Sequence, residues 1–135
     1  MIAGLVSELN SQVFARLWAL LAPPELVANS CLLVMGSEGR GEQILKTDQD
    51  NALLLRDGFE HPGLADVATR FHAALRSFGY PDCPGHIMLG NPLWRQHAGA
   101  FRETLRQWVY GELPEAPMHL AIFLDARAVL SLIHI

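Results

Sequence analysis

The sequence of 135 residues has neither a basic run nor a long apolar run, and each absence excludes a class of function. Ten basic residues stand against fourteen acidic ones, for a net charge of −4. Such a chain does not neutralise a phosphate backbone, so long nucleic acid is not an expected partner. No apolar stretch reaches the roughly 18 residues of a membrane span, and the first residues lack the basic start of a signal peptide. We therefore expect a cytoplasmic protein that does not enter a membrane.

Cysteine is also scarce. Cys31 lies in an apolar run and Cys83 in a loop rich in proline and glycine, and a reducing compartment disfavours a disulfide between them. The length fits one domain, which we place at residues 1–130, with residues 131–135 as an unassigned tail. Half of the residues are hydrophobic, which is apolar for so small a domain. We expect the chain to be a fragment of a longer protein.

Apolar spacing predicts helices and strands in alternation. Helical periodicity marks residues 5–21, residues 64–78, and a third helix that opens at Asn91-Pro92 and runs to Gly111. Continuous apolar runs predict strands at residues 30–35, 52–55, 86–89 and 118–124. The resulting order, α-β-β-α-β-α-β, predicts an α/β (α+β) domain in which helices pack on a small mixed sheet.

The most informative stretch is VMGSEGRGEQILKTDQDNALLL, residues 34–55, in which a glycine-rich turn precedes two aspartates. The turn is not a P-loop, because Glu42 and Gln43 stand where that motif needs Lys and Ser or Thr. It is not a dinucleotide-binding turn either, because Ile44 stands where the last glycine of that motif belongs.

Asp48 and Asp50 carry the chemistry of this stretch. At the start of a strand they share one face, with Cα atoms roughly 6.5 to 7 Å apart, and carboxylates so placed can hold Mg²⁺. Asp125 follows the predicted strand 118–124, and an adjacent strand would bring it beside the pair. An Asp-x-Asp pair alone is more often a solvated strand start. Beside a glycine-serine turn and with a third acid, it indicates metal-assisted phosphoryl or nucleotidyl transfer.

These motifs resemble a known family. Gly36-Ser37, followed by Asp-x-Asp and an apolar strand, resembles the signature of the nucleotidyltransferase superfamily typified by DNA polymerase beta and aminoglycoside nucleotidyltransferases. The run GSEGRGEQILKTDQDNALL, with GYPDCPG, NPLWR and IFLDAR further on, resembles a nucleotidyltransferase domain of bacterial proteins. That domain occurs beside cystathionine-beta-synthase-type and cyclic-nucleotide-binding domains and is similar to the transferase part of the PII-protein uridylyltransferase. The likeness extends to about Val129.

The resemblance implies the nucleotidyltransferase fold and a metal site. Asp48 and Asp50 would be ligands of Mg²⁺ or Mn²⁺, and Asp125 would be the third carboxylate, which helps to activate the attacking hydroxyl. All three would be catalytic. Such enzymes usually complete the nucleotide and acceptor sites with a following helical domain, so we expect a flanking helical or regulatory domain. Inactivity of this fragment by itself is an open alternative.

The resemblance also implies a nucleotide site in the glycine-rich turn. Gly36 and Ser37 would hold the β and γ phosphates through backbone N–H groups and the hydroxyl, with Arg40 and Lys46 as further phosphate partners.

Two function classes remain open. The first is an enzyme that transfers a nucleoside monophosphate from a nucleoside triphosphate to a hydroxyl of a protein or small molecule, in signalling or regulation. The second is a catalytically silent module that binds nucleotide and serves regulation or interaction. The presence of all three acids favours the enzyme, because a silent module has no need to tolerate their repulsion.

Overall fold

The computed structural model describes residues 2–35 and 49–131 of the chain. The helices of that part are α1 (Ile2–Leu21), α2 (Pro24–Ala28), α3 (Leu64–Ser77), α4 (Ala98–Tyr110) and α5 (Ala116–Leu124). Its strands are β1 (Ser30–Val34), β2 (Asn51–Leu55), β3 (Arg95–His97) and β4 (Arg127–Ser131), and a 3₁₀ turn covers Pro92–Trp94. No helix in these ranges is both long and apolar enough to cross a lipid bilayer.

The strands form one mixed sheet in the order β3-β2-β1-β4. The central strand β1 is antiparallel to both β2 and β4, whereas β3 runs parallel to β2. Every residue of β1 is buried, which explains its continuous apolar sequence, because helices cover both faces of the sheet. The prediction of an α/β domain with a small mixed sheet is confirmed.

Two hydrophobic clusters lie on the two faces of the sheet. Leu32 and Val34 of β1 point towards the cluster that α1, α2 and α3 cover. Cys31 and Leu33, which alternate with them along the strand, point towards the cluster built from α4, α5 and the segment before β3. Each residue of the sheet therefore belongs to one side or the other. This alternation decides where the side chains of the candidate site point.

Helix α1 was predicted at residues 5–21, and the structure confirms it. Its buried face carries Phe14 and Trp18, both about 1 % exposed, in edge-to-face contact with Phe71 of α3. Leu9 and Leu20, from which the periodicity was read, are 54 % and 77 % exposed. The spacing of the leucines thus predicts the helix, whereas the large aromatic residues decide which face is buried.

The predicted strand at residues 86–89 is wrong, since this segment forms irregular turns. Asn51 prevents a regular ladder: its backbone N–H donates to the Ile87 carbonyl at 3.0 Å, and its side-chain oxygen accepts from the Leu89 N–H at 2.9 Å. The third predicted helix is also corrected. Asn91 caps only the 3₁₀ turn, and β3 intervenes before α4 begins at Ala98.

The predicted strand at residues 118–124 is wrong as well, because this run belongs to helix α5. Pro117 lies in the first turn of the helix, where proline is tolerated. Phe123 then packs edge-to-face on Phe101 of α4, with ring centroids 5.0 Å apart. A short apolar run fits a strand or a buried helix equally well, and this packing partner decides between them.

Candidate functional site

Most of the predicted site lies on residues 36–48, outside the described part of the chain. That segment holds five predicted residues, namely Gly36, Ser37, Arg40, Lys46 and Asp48. The structure places the other two, Asp50 and Asp125.

β1 ends, and β2 and β4 begin, at the same end of the sheet. Asp50 and Asp125 both lie at this end. Val34, the last residue of β1, pairs with Asn51 on one side and with Arg127 on the other. Asp50 immediately precedes β2, and Asp125 lies two residues before the first residue of β4. The end of β1 therefore lies between them. Because neighbouring strands are about 4.8 Å apart, β2 and β4 are separated by roughly 10 Å across β1.

Asp125 lies at this end of the sheet, but the element that precedes it is not the one predicted. It ends helix α5 as the C-cap and does not follow a strand, and its backbone N–H donates to the Ile122 carbonyl at 3.2 Å. Its side chain is exposed. A carboxylate at a helix C-terminus gains nothing from the helix dipole, which favours cations there. Its position therefore has no obvious role in stabilising α5.

Asp50 is half-buried and fixed by its surroundings. Its backbone carbonyl accepts from the Met35 N–H at 3.0 Å, which extends the pairing of β1 and β2 by one residue. Its side chain points to the sheet face that α4 and α5 cover, where it meets Cys83. Burial raises the pKa of the Cys83 thiol, and the hydrogen bond to Asp50 raises it further. The protonated thiol thus donates to the carboxylate.

Gln49 and Asn51, on either side of Asp50, are directed to the opposite face of the sheet. Both side chains are 0 % exposed, and both are hydrogen-bonded to residues between α3 and the 3₁₀ turn. The sequence analysis gave neither residue a role. The signal that marks them is the alternation itself, because polar residues on the inward side of a buried strand need partners.

Arg127, the first residue of β4, is a positively charged residue at the same end of the sheet. Its guanidinium donates to the Ser11 hydroxyl at 2.7 Å, which joins β4 to α1. The two residues line a cavity of about 240 Å³ between these elements, together with Glu8 and Gln12.

The carboxylate oxygens of Asp50 and Asp125 are hard ligands of the kind that Mg²⁺ and Mn²⁺ prefer. Within residues 2–35 and 49–131 no group of three or more His, Cys, Asp or Glu side chains is placed to hold a metal ion. Two of the three predicted ligands, Asp50 and Asp125, lie in those ranges. The donor set fits a hard divalent cation that keeps open positions for water and phosphate oxygens.

Comparison with known proteins identifies the family. The family described as "Putative nucleotidyltransferase DUF294" matches residues 1–115. The chain belongs to this family. The match includes the glycine-rich turn and both aspartates of the Asp-x-Asp pair, whereas Asp125 lies beyond its end. No curated protein and no solved structure matches the chain.

Proposed function

We propose that this member of the nucleotidyltransferase family is a metal-dependent enzyme that transfers a nucleoside monophosphate from a nucleoside triphosphate to a hydroxyl group. The observation that carries the proposal is the position of Asp50 and Asp125 on either side of the end of β1, just before the two strands that pair with it. Gly36 and Ser37 follow Met35 directly in the chain, and the Met35 N–H donates to the Asp50 carbonyl.

In this proposal Asp48 and Asp50 would be the main ligands of Mg²⁺ or Mn²⁺, with Asp125 as the third carboxylate, on the side of the acceptor. A bound ion would supply neutralising charge for the phosphates and alignment of the attacking and leaving oxygens. Gly36 and Ser37 bind the β and γ phosphates through N–H and hydroxyl groups, as backbone turns without Cβ atoms permit. Arg40 and Lys46 add positive charge along the triphosphate.

Asp125 acts on the acceptor. Its exposed carboxylate takes the proton of the acceptor hydroxyl, while the hydroxyl oxygen forms a bond to the α phosphorus. The bond between the α phosphorus and the bridging oxygen to the β phosphate breaks, and pyrophosphate leaves. The product is a phosphodiester between the acceptor and the nucleoside. An acceptor on a protein or small molecule, a flanking helical or regulatory domain and a cytoplasmic signalling role complete the proposal.

Label transfer tests the reaction. The chain is incubated with each nucleoside triphosphate in turn, labelled at the α or the γ phosphate, with Mg²⁺ and cell extract as the source of acceptor. We expect incorporation of the α label alone, because the γ phosphate departs with pyrophosphate. Asp50→Asn should reduce incorporation at least about 100-fold. Asp66→Asn is the matched control, since this exposed carboxylate lies on α3 and pairs only with Arg70 among the described ion pairs.

Two outcomes would contradict the proposal. Incorporation of the γ label would indicate phosphoryl transfer instead of nucleotidyl transfer. Binding of triphosphate by the wild type, with no incorporation from any of the four nucleotides, would favour the silent regulatory module.

A further inference from the structure

Gln49, the residue between the two aspartates, is held by an unusually complete set of hydrogen bonds. Its side-chain nitrogen donates to the carbonyls of Tyr80 at 3.0 Å and His72 at 3.3 Å, with the Asp82 carboxylate at 3.4 Å. Its side-chain oxygen lies 2.6 Å from Nδ1 of His72. Every polar atom of this fully buried amide is thus engaged. The amide has one orientation that satisfies them all.

The ring of His72 fixes that orientation. Its Nε2 accepts a hydrogen bond from the Gly90 N–H at 3.0 Å, so Nε2 carries no proton. The proton of the neutral ring is therefore on Nδ1, which donates to the Gln49 oxygen. Burial lowers the pKa of His72 to about 4, which keeps the ring neutral near pH 7.

The close approach of Gly90 depends on its lack of a side chain. A Cβ atom built there would stand 3.1 Å from Nε2 of the ring. The ring of His72 is thereby held between a backbone N–H on one side and the Gln49 amide on the other.

The backbone passes this restraint on to Asp50. Along a strand, a side chain that is fixed on one face fixes the direction of its neighbour on the other face. The Gln49 N–H also donates to the Pro81 carbonyl at 3.0 Å, and the Asp50 carbonyl accepts from Met35. The Asp50 side chain cannot change its direction at this end of the sheet unless the Gln49 side chain leaves its buried partners.

We propose that His72 is a positioning residue that acts through Gln49 to hold the Asp50 carboxylate in the direction needed to bind a divalent cation with a nucleoside triphosphate. The inference rests on the proposed function. His72 touches neither the cation nor the nucleotide in this scheme; it acts as outer partners of metal ligands do, and their loss typically weakens metal affinity 10- to 100-fold.

Two substitutions separate the two hydrogen bonds of the ring. His72→Asn keeps a donor near the position of Nδ1 and loses the acceptor for Gly90, whereas His72→Gln keeps an acceptor near Nε2 and loses the donor to Gln49. The probe is Mn²⁺ in the presence of each nucleoside triphosphate, with bound and free Mn²⁺ measured by electron paramagnetic resonance. We expect about 10- to 100-fold weaker Mn²⁺ binding for His72→Gln. His72→Asn should stay within about threefold of wild type.

Tyr80→Phe provides the control for a general loss of stability. It removes the buried 2.6 Å hydrogen bond from the Tyr80 hydroxyl to Asn10, while the Tyr80 carbonyl still accepts from Gln49. This variant should melt at a lower temperature and bind Mn²⁺ with triphosphate as the wild type does. If Tyr80→Phe and His72→Gln weaken binding equally at equal loss of stability, the positioning role is overturned.

Further measurements keep the inference testable if a His72 variant fails to fold. Gln49→Met keeps the size of the side chain but cannot accept the ring proton, so it should also weaken Mn²⁺ binding 10- to 100-fold. The ring ¹⁵N spectrum of the wild type should show the proton on Nδ1; a proton on Nε2 overturns the inference. Wild-type affinity in either His72→Gln or Gln49→Met overturns it as well. If the wild type does not bind Mn²⁺ in the presence of any of the nucleoside triphosphates, the proposed function fails, and this inference fails with it.

Discussion

Asp50 and Asp125 lie at the same end of the sheet in opposite kinds of surroundings. Asp50 is half-buried, its carbonyl pairs with Met35, and both of its neighbours in the chain are fully buried. Asp125 is exposed at the C-terminus of α5 and lies beyond the part of the chain that the family match covers. We infer that Asp50 belongs to the preformed, ion-binding part of the site. Asp125 belongs to the open part that meets the acceptor.

The largest expected effect tests the Asp125 side of this comparison. Asp125→Asn should lower transfer by about 10² to 10⁴, the usual range for loss of a general base. Affinity for triphosphate should stay within about threefold, because the substitution leaves the Asp-x-Asp carboxylates intact. Label transfer and equilibrium binding measure the two quantities on the same preparation.

The double variant sharpens this prediction. Asp50→Asn with Asp125→Asn should lose less activity than the product of the two single losses, as groups that act as one unit do. A multiplicative loss would mean that the two carboxylates act independently. Loss of triphosphate affinity in Asp125→Asn alone would place Asp125 with the ion-binding residues and remove the contrast between them.

The second prediction concerns the Asp50 side. Asp50→Asn should weaken binding of Mn²⁺ with triphosphate about 100-fold or more, since even outer partners of metal ligands contribute 10- to 100-fold. Mn²⁺ or Mg²⁺ should raise the melting temperature of the wild type only together with a nucleoside triphosphate, because few carboxylates alone bind hard cations weakly. Equal stabilisation of wild type and Asp50→Asn by the metal alone would argue against a shared site.

The same contrast explains what the sequence could predict. The position of Asp50 was predictable because the Asp-x-Asp pair leads directly into an apolar strand, and both signals are local. The role of Gln49 was not, because its partners lie in α3 and at Tyr80, and no spacing in the sequence connects them. Cys83 was recognised only as a free thiol, since its contact with Asp50 depends on a loop with no periodic pattern.

The neighbourhood of Asp125 shows the opposite error. Asp125 does follow an apolar element, but that element is a helix and not the predicted strand. The second strand that pairs with β1, β4, begins at Arg127; Arg127 and Ala128 are exposed, and Val129 and Leu130 are half-buried. An edge strand needs only one apolar face, so it is harder to recognise than a central strand such as β1. The mixed sheet was predicted correctly although two of its strands were placed wrongly.

The third prediction uses pH to disturb the Asp50 side alone. Burial lowers the pKa of His72 from 6.5 to about 4, so an unfolded chain binds this proton at higher pH than the folded chain does. The free energy of unfolding should therefore fall as the pH is lowered from about 6.5 to 4, by up to about 3 kcal/mol from this residue. The measurement is urea unfolding of wild type and His72→Gln at several pH values. The variant should lack this part of the pH dependence.

The cause of that shift can be tested separately. Burial is the largest cause of the lowered pKa of His72; the charge of Asp82 raises the pKa, whereas those of Arg76 and Arg95 lower it further. Salt screens exposed charges but leaves burial unchanged, so 0.5 M salt should leave the difference between wild type and variant nearly the same. Identical pH profiles for wild type and His72→Gln would show that the ring is not buried in neutral form.

The smallest expected effect concerns the loop that brings Cys83 to Asp50. His86 in this loop has φ of 58°, and no other residue except glycine has a positive φ in the described ranges. The left-handed conformation costs a non-glycine residue about 1 kcal/mol, so His86→Gly should raise the free energy of unfolding by about that amount. Gly58→Ala is the control of opposite sign, because Gly58 has φ of 84° and open space where a Cβ would stand. The free energy of unfolding of Gly58→Ala should be lower by about 1 kcal/mol, from backbone strain alone.

Urea unfolding of the two variants measures both changes, and Mn²⁺ binding with triphosphate shows whether strain in this loop matters to the site. If His86 is held in the left-handed conformation only by its position in the turn, His86→Gly should leave the Mn²⁺ affinity unchanged. If the rigid loop helps Cys83 to hold Asp50, the more flexible glycine should weaken Mn²⁺ binding while the fold becomes more stable. Weaker Mn²⁺ binding together with higher stability would show that the strained backbone at His86 helps to hold Asp50. Among the described residues, none near Asp125 other than glycine has a positive φ. A loss of stability in His86→Gly would contradict the strain itself.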